Sequence, residues 1–235
     1  MKLLSWNIRG VGRSEKRRKI RIIVQKRMVD VLFRQETKKA GVFEELVKSV
    51  WPYDDMEYMS VDADGFSGGI LSVWKASVFS LAKCCSLRNF IILSGMILPC
   101  FNCAFINVYS PNDIARRGVV WNALRNLKSQ FVDPWCLGGG DFIEIRSMGE
   151  RKGCTRTDKG MKDFNEFIEG VELYDVPMQG RQFTWSNSSV RGSWSRIDRI
   201  LLSLEWLEKY NFTLWGLPRG LFDHCPLLLM EDSRD

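Results

Sequence analysis

A single histidine, His224, is all that the 235 residues provide. That scarcity excludes a multi-histidine transition-metal site, because imidazole is the usual ligand of zinc, copper and non-haem iron centres. Long hydrophobic runs are missing too. No apolar stretch reaches the roughly 18 residues that a membrane helix needs, so no membrane partner is expected. The opening segment, MKLLSWNIRG, is too briefly apolar and too quickly charged for a secretory leader. An intracellular protein is expected, in the nucleus rather than the cytoplasm. The seven cysteines are odd in number and irregularly spaced, which argues against a disulfide framework. Cys100 and Cys103 form one C-x-x-C in an apolar stretch, without the second pair or the histidines that zinc would require. Both are expected as buried thiols. Repeats, low-complexity tracts and linkers are absent, so residues 1–235 are read as one domain, long enough for a well-buried core.

What is present begins with a mild positive balance, +6 at pH 7, which suits a polyanionic partner without establishing one. Much of it lies in SEKRRKIRIIVQKRMVD, read as a helix capped by Ser14 with Ile20, Val24 and Val31 at helical spacing. Its basic face is either a solvated surface or a nucleic-acid patch. Helical patterns also occupy GVFEELVKSVW, IARRGVVWNALRNLKSQF and GMKDFNEFIEGVEL. KLLSWNI, VDVLFRQ, GGILSVWK, NFIILSGMIL, NCAFINVY, DPWCLGGG, RQFTWS and SRIDRILLS read as strands. Strands outnumber helices about two to one and many are apolar on both faces. Sheets packed on each other, with helices outside, are expected.

Polar residues end the apolar segments at recurring places: Asn7, Glu36, Tyr109 with Asn112, Asp141, Asp198, and Asp223 with His224. Each alone is an ordinary turn or cap residue. Together they define a chemistry. Glu36, Asn7 and Asp223 are hard oxygen ligands of the kind that Mg²⁺ takes, one or two carboxylates beside retained water and phosphate. A second acid would fix the tautomer of His224. Asp141 is left free to hold or deprotonate a water, and the set suits metal-assisted hydrolysis of a phosphate ester.

In this order, LSWNIRG, RQETK, INVYSPN, GGGDF, SRIDRILLS and DHCPLLL resemble the endonuclease/exonuclease/phosphatase superfamily. The likeness is greatest to endonuclease domains of plant non-LTR (LINE-type) retrotransposons, and it runs from residue 2 to about 229. It implies a four-layered α/β sandwich, two mixed sheets packed face to face with helices outside. It also implies Mg²⁺, with Mn²⁺ as a substitute, and cleavage of a phosphodiester by in-line attack of water. Glu36 would be the principal metal ligand, with Asn7 and Asp223 beside it. Tyr109 would hydrogen-bond the phosphate, supported by Asn112. Asp141 would activate the water, and His224, oriented by Asp198, would stabilise the phosphate oxygens. Arg191, in the loop SNSSVRGSW, would contact a DNA phosphate. A monomer that nicks DNA is the expected form.

Two positions depart from the family pattern. Asp-x-Asn usually follows the glycines, and here the pair is Asp141 and Ile143. In an extended segment the two would face the same way. Ile143 would then remove a preorganised donor, at about 10²–10³ in rate, and raise the pKa of Asp141 with apolar surface. Phe222 replaces the usual serine before Asp-His and is expected to repack the lip of the cleft. A nucleic-acid-binding domain without turnover is the alternative reading; a phosphatase of small or lipid phosphates is disfavoured by the basic charge.

Overall fold

The computed structural model describes residues 1–65, 67–153, 160–187, 192–220 and 222–232. Strands β1 (Lys2–Asn7) and β2 (Val31–Gln35) are connected by helix α1 (Ser14–Arg27). After α2 (Glu44–Val50) come β3 (Glu57–Asp64), β4 (Ser67–Trp74), β5 (Phe79–Leu87), β6 (Phe90–Ile97) and β7 (Phe101–Val108). Helix α3 (Ile114–Lys128) leads to β8 (Trp135–Gly139), and the short β9 (Arg151–Lys152) precedes α4 (Gly160–Gly170). Four two-residue strands follow: β10 (Tyr174–Asp175), β11 (Met178–Gln179), β12 (Trp185–Ser186) and β13 (Trp194–Ser195). The chain continues through β14 (Arg199–Leu202), α5 (Leu204–Lys209), β15 (Phe212–Gly216) and β16 (Leu227–Glu231).

These strands form a seven-stranded sheet, β11-β15-β16-β1-β2-β4-β3, and a six-stranded sheet, β10-β14-β8-β7-β6-β5. A small third sheet, β12-β13-β9, is joined to His224 by an isolated antiparallel bridge at Trp185. Strand alternation explains how the layers close. Phe33 of β2 and Phe105 of β7 point into a shared core with Leu3, Ile91, Ile200 and Leu227. Leu32 faces outward into a cluster with Ile20 and Val24 of α1 and Val47 of α2. Ile106 and Leu137 face the other way, against Trp121 of α3 and Phe164 of α4. Three apolar clusters therefore separate four layers, the sandwich expected from strands apolar on both faces. Among the described residues no helix is long and apolar enough to cross a membrane.

Three local expectations need correction. Ser14 is the first residue of α1, not its cap. Arg13 takes the N-cap position, and no side chain caps there. Ile20 and Val24 are buried as expected, but α1 ends at Arg27, Met28 turns left-handed (φ 53°), and Val31 starts β2. Cys103 is buried while Cys100 is exposed, so only one thiol of the C-x-x-C behaves as predicted.

Strand register brings the polar strand ends to one place. Asn7 lies opposite Gln35 in the parallel β1–β2 pair, so Asn7 and Glu36 emerge together. Val108 lies opposite Gly139 in the parallel β7–β8 pair, so Tyr109 and Asp141 leave the second sheet at the same end. β14 runs antiparallel to β8, with Arg199 opposite Gly139, which places Asp198 beside Asp141. β16 runs antiparallel to β1, with Leu227 opposite Ser5, which returns His224 to the same edge.

Candidate active site

The two sheets approach closely where the glycine run ends. A Cβ on Gly140 would collide with Gln35 Oε1 and would lie 2.9 Å from the Asn7 Cβ. Glycine there lets the end of β8 reach the end of β1 in the opposing sheet. Asp141 follows with φ 72°, a left-handed backbone that ends the extended run of β8.

The imidazole of His224 is fully buried, with Nδ1 at 3.0 Å from both carboxylate oxygens of Asp198. Asp198 Oδ1 also accepts the backbone N–H of Asp141 at 2.7 Å. Thr184 Oγ1 holds the Asp198 backbone by accepting its N–H at 3.0 Å. One buried carboxylate thus orients the histidine and the following acid together. His224 Nε2 has no hydrogen-bond partner and lies 3.8 Å from Asp141 Oδ2. That separation is too long for a direct hydrogen bond and lets both atoms bond one oxygen placed to the side of the line joining them.

Burial opposes the imidazolium of His224, but the charge of Asp198, the hydrogen bond to it, and the charges of Asp141 and Asp223 outweigh burial. The pKa rises to about 9, so the ring is cationic at neutral pH. Burial also raises Asp141, to about 6, with the charges of Asp198 and Glu36 adding to it and that of His224 working against it. The upward direction is the expected one. A carboxylate titrating near 6 is mostly ionised at pH 7 and is well matched to taking a proton.

The reason offered for Ile143 needs correction. Asp141 (φ 72°) and Ile143 (φ 64°) both adopt left-handed backbone, and no strand covers residues 141–147. The rule that residues two apart share a face holds for extended chain and has no basis here. The conflict at position 143 is with the backbone. A β-branched side chain is a poor occupant of left-handed φ, whereas asparagine is among the residues that tolerate it.

Glu36, 8% exposed, itself sits at φ 56° just past β2. Its backbone is pinned because its carbonyl accepts Gly10 N–H at 2.7 Å, while Thr37 N–H donates to the Gly69 carbonyl at 3.0 Å. Arg9 and Lys38 reach these acids, and the residue pattern had not singled them out. Arg9 Nε lies 3.0 Å from Asp223 Oδ2 and 3.9 Å from Glu36 Oε2; Lys38 Nζ lies 3.0 Å from Glu36 Oε1. Asn7 is fully buried, and neither polar atom of its amide has a partner. Two carboxylates sharing one cation, beside an unclaimed amide oxygen, fit a hydrated Mg²⁺ ion held by few protein ligands. They do not fit a fully protein-ligated metal: among the described residues, no three His, Cys, Asp or Glu side chains are placed to hold one ion.

Tyr109 is clamped through its backbone, its N–H donating to Asn89 O at 2.9 Å and its carbonyl accepting Asn89 Nδ2 at 2.9 Å. Burial, with Glu36 and Asp141 nearby, pushes its phenol above the ordinary range, so it stays a donor. Tyr109 and Asn112 line a cavity of about 400 Å³ with Gly68, Gly69 and Arg116. Phe222 packs edge-on against Trp6 at 5.1 Å, with Lys16 and Lys19 over its ring. It lines a smaller cavity, about 340 Å³, with Arg9 and Asp223. Arg191 lies outside the described residues.

The buried polar groups behind the site were also not foreseen. Gln35 Nε2 donates to Asn107 Oδ1 at 2.7 Å and to Ser5 Oγ at 3.1 Å, while Asn107 Nδ2 donates to the Leu71 carbonyl at 3.1 Å. This network ties β1, β2, β4 and β7 across the core. The signal was present in RQETK and NCAFINVY, as polar residues at inward-facing positions of otherwise apolar strands.

No protein-family profile matches the sequence, and no curated protein sequence does. Solved structures do match. The AP endonuclease LMAP from Leishmania major superposes with a TM-score of 0.77 at 16% identity, over 99% of this chain and 88% of that one. The endonuclease domain of TRAS1, a telomere-specific non-LTR retrotransposon, gives 0.71 at 10% identity, over 100% and 99%. The 3′ phosphatase NExo from Neisseria, bound to product DNA hairpin, gives 0.73 at 15% identity, over 99% of each chain. The chain has the fold of these AP endonuclease-like proteins, with two large mixed sheets and helices outside.

Proposed function

We propose that this chain is a Mg²⁺-dependent phosphodiesterase of endonuclease type that nicks DNA. The observation that carries the reading is the cluster at the sheet edge. The oriented imidazolium of His224 has an unclaimed Nε2 3.8 Å from the Asp141 carboxylate, and the unpartnered buried amide of Asn7 belongs to the strand end against which the neighbouring Gly140 packs. Buried polar groups are normally satisfied, so this cluster is built to receive an oxygen-rich ligand. A phosphodiester with its attacking water supplies the oxygens.

In this reading Asp141 takes a proton from water as its oxygen bonds to phosphorus, and the bond from phosphorus to the 3′ oxygen breaks. His224 donates Nε2–H to a phosphate oxygen, while Asp198 keeps Nδ1 protonated and the ring aligned. Tyr109 donates its hydroxyl to a second oxygen. Glu36, Asp223 and Asn7 would hold Mg²⁺, which when bound would neutralise phosphate charge and stabilise the leaving oxygen. The net charge of +6 favours DNA as the polyanion, and the likeness to a TRAS1 endonuclease domain and to a DNA-bound phosphatase supports it. The test is conversion of supercoiled plasmid to the nicked form with Mg²⁺, with EDTA and His224→Gln as controls. Nicking that persists in both controls refutes the reading.

The second reading, a DNA-binding domain without turnover, draws on the left-handed Ile143 and on Arg9 occupying the acids. Salt-dependent DNA binding with no Mg²⁺-dependent product would select it.

A further inference from the structure

Away from the reacting groups, one buried ion pair joins the two loops that carry them. Arg117, 4% exposed, lies in the first turn of α3, and Glu144, 0% exposed, lies three residues after Asp141. Their contact, Arg117 Nη2 to Glu144 Oε1, is 2.6 Å. The other terminal nitrogen of the same guanidinium, Nη1, donates to the carbonyls of Asn112 at 2.7 Å and Pro111 at 3.1 Å. One side chain therefore grips the loop bearing Tyr109 and Asn112 and, at the same time, the loop bearing Asp141.

Stability alone does not account for this arrangement. A buried ion pair is often no better than apolar residues of the same volume. A cation in the first turn of a helix also opposes the helix dipole, so position 117 is an unfavourable place for a buried arginine. Glu144, by contrast, is well placed. A Cβ on Gly160 would fall on the Glu144 carboxylate, so glycine at the first residue of α4 brings the helix N-terminus against that acid. Phe142 is buried against Trp121 of α3 and Phe164 of α4, so the Asp141 loop is seated on both helices. The planar guanidinium fork, with separate nitrogens for each loop, can set a spacing that a lysine cannot.

We propose that Arg117 and Glu144 are a positioning pair that sets the distance between the phosphate-holding loop and the water-activating loop. Its catalytic consequence rests on the function proposed above; its structural consequence does not. The pair touches no reacting atom and acts through Asn112, Pro111 and the Asp141 loop.

The test replaces both partners, Arg117→Met with Glu144→Leu, so that no lone charge is left buried, and compares the result with Arg117→Lys. Amide hydrogen exchange is read at Tyr109 and Arg117 for one loop and at Phe142 for the other, whose N–H groups donate to the carbonyls of Asn89, Asp113 and Ile197, beside kcat and KM for plasmid nicking. The double variant should exchange at least about 10-fold faster in both loops. Its kcat should fall roughly 10- to 100-fold, with KM within about twofold, as for a misplacement of reacting groups by about an ångström. Arg117→Lys, should the double variant not fold, keeps the charge but cannot hold both loops, so at least one should loosen. Parent-like protection in both loops of either variant overturns the pair. So does an unchanged kcat in a double variant whose loops have loosened. Loosening of both loops in a chain whose parent nicks nothing supports the pair and refutes the proposed function separately.

Discussion

Replacing Ile143 by asparagine separates two effects at one position. With φ at 64°, isoleucine sits where an L residue loses about 1–2 kcal/mol, and asparagine recovers much of that through local hydrogen bonding. The half-buried isoleucine gives up at most about half of the ~1.5–3 kcal/mol that full burial provides. The net gain for Ile143→Asn is therefore about 0–1 kcal/mol, or a rise in Tm of up to roughly 3 °C for a chain of this size. Activity is a different matter. If the amide supplies a preorganised donor to the phosphate or water, nicking should accelerate by about 10²–10³. Ile143→Gly is the control, since it accepts the same φ and brings no donor. Single-turnover nicking of end-labelled duplex, with thermal unfolding on the same samples, reads both quantities. If the asparagine and glycine variants nick equally fast, the donor account is wrong and only backbone relief remains.

Other outcomes follow from the charges at the site. Arg9→Gln removes the cation shared by Glu36 and Asp223; metal-free Tm should fall by a few degrees and the Mg²⁺-induced rise in Tm should grow, as seen by differential scanning fluorimetry. An unchanged Mg²⁺ response would show that Arg9 does not compete for those acids. The pH profile of nicking should rise through about 6 as Asp141 ionises and fall through about 9 as His224 loses its proton; a flat profile between pH 5 and 7 would remove Asp141 as the base. Both groups titrate above their ordinary values of 3.8 and 6.5, so both favour the fold at low pH. The share of Asp141 is lost as pH rises from about 4 through 6, and that of His224 from about 6.5 through 9. The Tm gap between parent and His224→Gln should therefore narrow on passing from pH 6 to pH 10. Asp198→Asn should lower the His224 pKa measured by NMR and move the alkaline limb of the profile down with it; a His224 pKa that stays near 9 would assign the shift to other charges.

Much of the frame was legible in the chain. Strands such as VDVLFRQ and NCAFINVY are apolar on both faces, which only a doubly covered sheet accommodates, and the polar residue ending each marks an edge of the sandwich. Edge strands were not legible. β3 and β5 close the two sheets on one side, and both are largely exposed, so they lack the two-faced apolar signal. RQFTWS overstated its strand, pairing only at Trp185 and Ser186.

Local pattern thus determined which residues end strands and which faces need cover, because burial follows side-chain type and period. It identified Asn7, Glu36, Tyr109, Asp141, Asp198 and His224 as a chemically coherent set. Only the tertiary structure decided their distances. The left-handed turn at Asp141 and Ile143 follows directly on the close approach of the two sheets at Gly140, and a rule for extended chain could not foresee it. The sharing of Glu36 and Asp223 by Arg9, and the grip of Arg117 on Glu144, join residues from separate segments. Such pairs depend on register and on the close approach of two sheets, quantities that no single stretch of sequence contains.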